Sequence, residues 1–131
     1  MNALATAEAL FARLLAMDEA ALGPEHTEVA STLGNMGNVL QKQGKLAEAM
    51  ALYERALAIN EAAYGREHTS VAMTLTNMGN VLRTQGKLAE AMALYERALP
   101  AFEALAPDHP HATYCRQAID ECRAGPTPIE A

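Results

Sequence analysis

The stretch GPEHTEVASTLGNMGNVLQKQGKLAEAMALYERALAINEAAY, residues 23–64, is followed directly by a second version of itself at residues 65–106. Eleven of the 42 aligned pairs differ, so 31 positions are identical. A fixed period of this length is the signature of a stacked-repeat architecture, in which each unit buries its apolar face against its neighbours. The repeat therefore decides the fold class before any single residue is considered.

Each copy has the pattern of two helices joined by a tight turn. Apolar residues recur at spacings of three and four in the first half of the copy, and Gly44 interrupts the pattern. We predict a first helix that His26 or Thr27 caps and that runs to about residue 43, and a second helix over residues 45–64. The second copy predicts the same pair, and Pro100 predicts a kink in its second helix rather than an end.

The flanking segments complete the architecture. Residues 1–22 align with the second helix of a repeat and form a predicted half repeat. Residues 107–124 form a predicted capping helix that Asp108 or His109 begins, with Pro110 in its first turn. Gly125, Pro126 and Pro128 predict a flexible tail over residues 125–131. The chain is therefore predicted to be all-α, with six helices in antiparallel order.

Small residues at Gly37, Ala49 and Ala56 let paired helices approach closely, while Leu40 and Tyr53 fill the remaining space. This helix–turn–helix pattern resembles the tetratricopeptide repeat more than HEAT or armadillo repeats. The 42-residue period and the Gly-x-x-His loop are similar to the kinesin light chain type, although threonine replaces the proline that usually follows the histidine. The resemblance implies a right-handed superhelical solenoid of antiparallel helix pairs whose first helices line a concave groove. It also implies a non-enzymatic module that binds a peptide or helix of a partner protein.

The differences between the copies gather on one side of the first helix. At 100° per residue with Glu28 at zero, the predicted packed side lies at about 80 to 180°, and the differing positions lie at about 220 to 360°. Asparagines that do not differ share this arc. We therefore predict that twelve residues bind the ligand: Ser31, Gly34, Asn35, Asn38, Gln41, Lys42, Met73, Thr76, Asn77, Asn80, Arg83 and Thr84.

The four asparagines have two readings. Their amides carry both donors and acceptors and are able to pair with the backbone of a bound peptide, as the resemblance implies. Alternatively, they brace neighbouring helices or solvate the groove. The first helices are slightly more basic than the second helices, which is compatible either with an acidic partner or with ordinary solvated faces.

Composition limits the remaining possibilities. The formal charge of −6 argues against nucleic-acid binding, and no apolar run is long enough for a membrane span. Cys115 and Cys122 lie seven residues apart in one predicted helix, too far apart to pair, which favours a reduced, cytoplasmic protein. Capping explains His26, His68 and His109, and the two-residue spacing of His109 and His111 is too little for a zinc site without further ligands. No metal, cofactor or catalytic group is therefore predicted. A second hypothesis is a homo-oligomer or fragment of a longer array that associates through exposed terminal helices.

Overall fold

The computed structural model describes residues 2–126, and within this range the chain forms six α-helices and no strand. The helices are α1 (Ala3–Leu22), α2 (Thr27–Lys42), α3 (Leu46–Tyr64), α4 (Thr69–Thr84), α5 (Leu88–Leu105) and α6 (Pro110–Ala124). The all-α prediction is confirmed, with small differences at helix ends. The predicted tail, residues 125–131, lies outside the described residues except for Gly125 and Pro126. No described helix is both long and apolar enough to cross a membrane.

Histidine side chains cap three of the helices. His26 Nδ1 accepts the backbone N–H of Glu28 at 3.0 Å, which satisfies one of the unpaired donors at the start of α2. His68 and His109 cap α4 and α6 in the same way. The sequence left the choice between His26 and Thr27 open, and the structure makes Thr27 the first helical residue.

The first unit consists of α1, α2 and α3, with α2 in contact with both other helices. Its core contains Val29 and Leu33 of α2 with Ala56 and Ile59 of α3, all at most 2% exposed, and Leu15 of α1 packs against them. Because α2 packs against α1 on one side and α3 on another, residues on two of its sides are buried. The helix pair α2–α3 falls within the first predicted repeat.

The second unit consists of α4, α5 and α6, with α5 in contact with both other helices. Tyr95 and Phe102 of α5 are buried. The residues of α6 that were predicted to point inward are all buried, namely Ala112, Cys115, Ala118, Ile119 and Cys122. Both cysteines are free, and burial raises the pKa of each thiol. Helix α5 continues through Pro100 without ending, as predicted.

Candidate functional site

The predicted site residues are divided between α2 in the first unit and α4 in the second. In α2, Ser31, Asn35 and Lys42 are exposed, and Gly34, Asn38 and Gln41 are half-buried. In α4, Met73 and Thr84 are exposed, Asn77, Asn80 and Arg83 are half-buried, and Thr76 is buried. Eleven of the twelve residues therefore reach solvent at least in part.

Thr76 is the exception and corrects the prediction. The side chain is 8% exposed, and its hydroxyl group donates to the backbone oxygen of Ala72 at 2.8 Å. Its oxygen also lies 3.6 Å from Cys115 Sγ of α6. The prediction was wrong because the helical wheel included only the partner helix of the repeat, whereas α6 covers this side of α4 as well.

Asn38 is held by the tyrosine of the paired helix. The ring of Tyr53 lies against Gly37, where an added Cβ would be 2.7 Å from Tyr53 Cε1. This close approach brings the Tyr53 hydroxyl group to 2.5 Å from Asn38 Oδ1, to which it donates. Gln41 Oε1 lies further from the same hydroxyl oxygen, at 3.2 Å. The contact supports the bracing interpretation for the carbonyl end of Asn38.

Burial keeps this hydroxyl group protonated. Desolvation raises the pKa of Tyr53 to about 12, because the phenolate would be poorly solvated next to the core. The proton therefore remains available to Asn38 between about pH 10 and 12, where a solvent-exposed tyrosine would lose it. The NH₂ group of Asn38 is not used by this contact.

The second unit repeats the arrangement and adds a helix to it. Tyr95 packs against Gly79, and its hydroxyl group donates to Asn80 Oδ1 at 2.5 Å. Tyr114 of α6 donates to the same oxygen at 2.7 Å. Both lone pairs of the Asn80 carbonyl are thus occupied, and the carbonyl joins three helices.

Arg83 is directed to α6. Its Nη1 atom donates to Glu121 at 2.8 Å, Nη2 lies 3.4 Å from the Tyr114 hydroxyl group, and the guanidinium stands 5.8 Å from the Tyr95 ring centroid. Burial works against the charged form of Arg83, but Tyr95, Tyr114 and Glu121 together raise its pKa. Arg83 was predicted to face the ligand, but its positive charge is balanced by Glu121 inside the second unit.

Within the described residues, Asn35 and Asn77 have no tyrosine contact of the kind that Asn38 and Asn80 make. Asn35 is exposed and Asn77 is half-buried, and neither side chain makes a hydrogen bond to any part of residues 2–126. Each lies one helical turn before an asparagine whose carbonyl oxygen accepts from a tyrosine. Each of the helices α2 and α4 therefore presents one whole side-chain amide (Asn35 or Asn77) beside the NH₂ group of the next asparagine (Asn38 or Asn80). This pair, Asn35 with Asn38 or Asn77 with Asn80, is the candidate site of its unit.

The repeat has the sequence features of a known family. The tetratricopeptide-repeat family model matches residues 3–62 and residues 28–104, which together include most of the chain. The chain belongs to the tetratricopeptide-repeat family. No curated protein matches this tetratricopeptide-repeat chain significantly.

Two groups of solved structures share the fold of the tetratricopeptide-repeat chain. A candidate kinesin light chain of Podosopora anserina with nearly identical TPR-like repeats is 21% identical, with a TM-score of 0.82 over 91% of this chain and 57% of that one. Its Q17M variant is 20% identical with the same TM-score. BtubC (BKLC) from P. vanneervenii is 20% identical, with a TM-score of 0.71 over 98% of this chain and 61% of that one. This chain therefore spans about three-fifths of the length of these structures.

Sequence reasoning missed the tyrosines of the tetratricopeptide-repeat site. Tyr53 and Tyr95 were assigned to space filling, yet each follows its asparagine by the same fifteen residues, which was a signal of a paired contact. Tyr114 was not considered. When the capping residues His68 and His109 are aligned, Tyr114 takes the position of Met73. That position is among those on the first helix that differ between the two copies.

Within the part of the chain that the structure describes, no three metal-binding side chains come together. His109 and His111 do lie side by side, with ring centroids 5.3 Å apart, but both also contact the Phe102 ring. These histidines are explained by capping and packing.

Proposed function

We propose that this chain is a protein-interaction module that binds a peptide or helix of a partner protein along its first helices. Tetratricopeptide repeats generally mediate protein–protein interaction. The principal contacts are Asn35 and Asn38 on α2 and Asn77 and Asn80 on α4. The proposal assigns no catalytic step to the chain.

One observation carries the proposal, namely amide groups that have no partner within residues 2–126 and that occupy the same place in both units. Asparagine is a mediocre helix former, so its repeated use in the middle of a helix needs a compensating role. The Tyr53 and Tyr95 contacts account for the carbonyl oxygens of Asn38 and Asn80 only. The unpaired NH₂ groups are suited to donate to backbone carbonyl groups, which every peptide offers.

Residues that differ between the units are suited to select side chains of the partner. Ser31 of α2 and Met73 of α4 occupy the same repeat position, and both are exposed. Serine offers a hydroxyl group, whereas methionine offers a flexible apolar surface. The proposal includes no acidic partner, because Glu121 already balances Arg83.

The proposal is tested with peptides selected on the full chain from a random displayed library. The affinity of a selected peptide is then measured by fluorescence anisotropy for the wild type and for a variant with Asn35→Ala and Asn77→Ala. Loss of two amide contacts should weaken binding by about tenfold or more, while helix propensity keeps the unfolding temperature unchanged or slightly higher.

Glu54→Ala with Glu96→Ala is the matched control, because these exposed residues take equivalent positions on the second helices. The control variant should bind like the wild type. Equal affinity of the asparagine variant and the wild type would contradict the proposal, as would failure to select any peptide.

A second pair of substitutions separates bracing from binding. Asn38→Asp with Asn80→Asp keeps an oxygen to accept from the tyrosines but removes the NH₂ donors. We expect this variant to stay folded and to lose affinity for the selected peptide. If it binds like the wild type, Asn38 and Asn80 serve as braces alone.

A further inference from the structure

Helix α1 has an exposed apolar stripe along its length. Leu10 is 58% exposed, Leu14 is 41% exposed and Met17 is 65% exposed. Their spacings of four and three residues continue to Ala7 and Ala21, which gives the 3.5-residue period of a helix-pairing seam. The five side chains fall within about 80° of the helix circumference.

Contacts with α2, α3 and the turn between them fix the orientation of this stripe. Glu19 of α1 pairs with Arg55 at 3.3 Å, and Glu8 pairs with Lys45 at 3.3 Å. Thr32 of α2 donates to Asp18 at 2.9 Å. At 100° per residue, Glu8 and Glu19 lie on another side of α1 and Asp18 lies at the edge of the stripe. The three contacts therefore hold the helix in place and leave the large side chains of the stripe exposed.

The internal repeat shows how such a stripe is normally used. A shift of 42 residues converts Leu10, Leu14 and Met17 into Leu52, Ala56 and Ile59 of α3. The latter three belong to the α2–α3 core, and Ala56 and Ile59 are 1% and 2% exposed. The α1 stripe is therefore a packing face.

A helix of the α2 type does not fit this face well. Both inner copies have alanine at the position of Leu14, namely Ala56 and Ala98, and both alanines are almost fully buried. Leucine at this position would force the two helices apart. In addition, Phe11 takes the position of Tyr53 and has no hydroxyl group to reach an asparagine.

Helix α6 of another copy does not fit either. When the capping histidines are aligned, α6 has charged residues where α4 packs on α5. These residues are Arg116, Asp120 and Arg123, at the positions of Leu75, Gly79 and Leu82. Covering the α1 stripe with them would bury charges against leucine side chains, which is unfavourable. End-to-end growth is therefore disfavoured.

We propose that α1 pairs with α1 of a second copy in a symmetric, antiparallel dimer. The stripe has the same size profile in both directions, with alanines at the ends and the three large side chains in the middle. A two-fold axis near Leu14 therefore brings the large side chains of both copies together. One helix per copy makes a small interface, so the dimer is weak and reversible.

Sedimentation of the full chain between about 1 and 200 µM tests the proposal, because small interfaces associate in this range. The wild-type mass should rise from monomer to dimer. Leu14→Glu should remain monomeric throughout. Leu105→Glu is the control, because Leu105 is equally apolar and 59% exposed but lies at the end of α5; it should behave like the wild type. Circular dichroism checks that both variants are folded.

Cross-linking tests the symmetry. Leu14→Cys should give a covalent dimer after mild oxidation, whereas Leu105→Cys should not, and the natural cysteines do not compete because they are buried. A wild-type monomer at the highest concentration would overturn the proposal. Species larger than a dimer, unchanged dimerisation of Leu14→Glu, or binding of a synthetic peptide of residues 27–42 to the stripe would overturn it as well.

Discussion

Gly37 and Gly79 are retained in the two copies for a steric reason. Each glycine lies beneath a tyrosine ring, and an added Cβ would come within 2.7 Å of Tyr53 or 2.9 Å of Tyr95. Gly34, three residues before Gly37 in the same helix, has no atom within 4 Å of the corresponding position. Of the two glycines of α2, Gly37 is therefore required by packing against Tyr53, whereas Gly34 has no neighbour that requires a glycine.

We predict opposite effects for alanine at these two glycines. Gly37→Ala should lower the free energy of unfolding by about 1 to 3 kcal/mol, because the Tyr53 ring has to move away from its hydrogen bond with Asn38. Gly34→Ala should raise it by about 0.5 to 1 kcal/mol through helix propensity. Urea denaturation followed by circular dichroism measures both, and changes of the same sign would refute the steric explanation.

The helices are the level at which the sequence was most informative. Apolar spacing, Gly44 and Gly86 defined all four helices of the two copies, because helix ends depend on local chemistry. The choice of His26 over Thr27 as the cap was not decided by the sequence, since both residues carry an acceptor near the first free N–H groups. Only the three-dimensional arrangement shows which side chain reaches the amide.

Pro100 sets α5 apart from α3. The proline lies on an exposed side of a continuous helix, so its cost comes from the missing backbone N–H and the crowding of the preceding turn rather than from lost packing. Ala58 takes the equivalent position in α3 and is also exposed. Proline and alanine can therefore be exchanged between these two equivalent positions to test the effect of the proline.

Exchange of these two residues should shift stability in opposite directions. We expect Pro100→Ala to slow amide hydrogen exchange in the last two turns of α5 and to raise the unfolding temperature. Ala58→Pro should cost up to about 3 kcal/mol and speed exchange in α3. If Pro100→Ala leaves exchange in α5 unchanged, the predicted kink is absent.

At the scale of the molecule, the helical wheel predicted burial incompletely because it assumed that each first helix packs against one other helix only. Thr32 and Val39 lie outside the predicted packed arc, but they are buried because α2 contacts α1 as well as α3. Thr76 was misplaced for the same reason. The fold was predictable because periodicity is a property of the chain, whereas the site was only partly predictable because exposure depends on which helices come together.

The two units share a sensitivity to alkaline pH. Burial raises the pKa of Tyr53 to about 12 and also raises the pKa of Tyr95. The unfolded chain releases these protons near pH 10, whereas the folded chain retains them. The contribution of each tyrosine to stability is therefore fully present below about pH 10, and above it each tyrosine should lower the free energy of unfolding by about 1.4 kcal/mol for each pH unit up to its folded pKa.

Denaturation at a series of pH values between about 9 and 12 measures this loss. Tyr53→Phe with Tyr95→Phe should flatten the pH dependence, at the expense of some stability at neutral pH. A wild-type slope in the double variant would show that other groups cause the alkaline loss.

The charged side chains of α6 have a consequence for how a protein of this kind changes its length. A repeat added after α6 would need an apolar surface in place of Arg116, Asp120 and Arg123, so several substitutions would have to occur together. An extra copy inserted between residues 64 and 65 would repeat the present junction once, create one new junction between two copies of the same repeat, and leave the charged side chains of α6 unchanged. Duplication inside the chain therefore needs fewer substitutions than addition after α6, and the near identity of the two copies is the trace that such an event would leave.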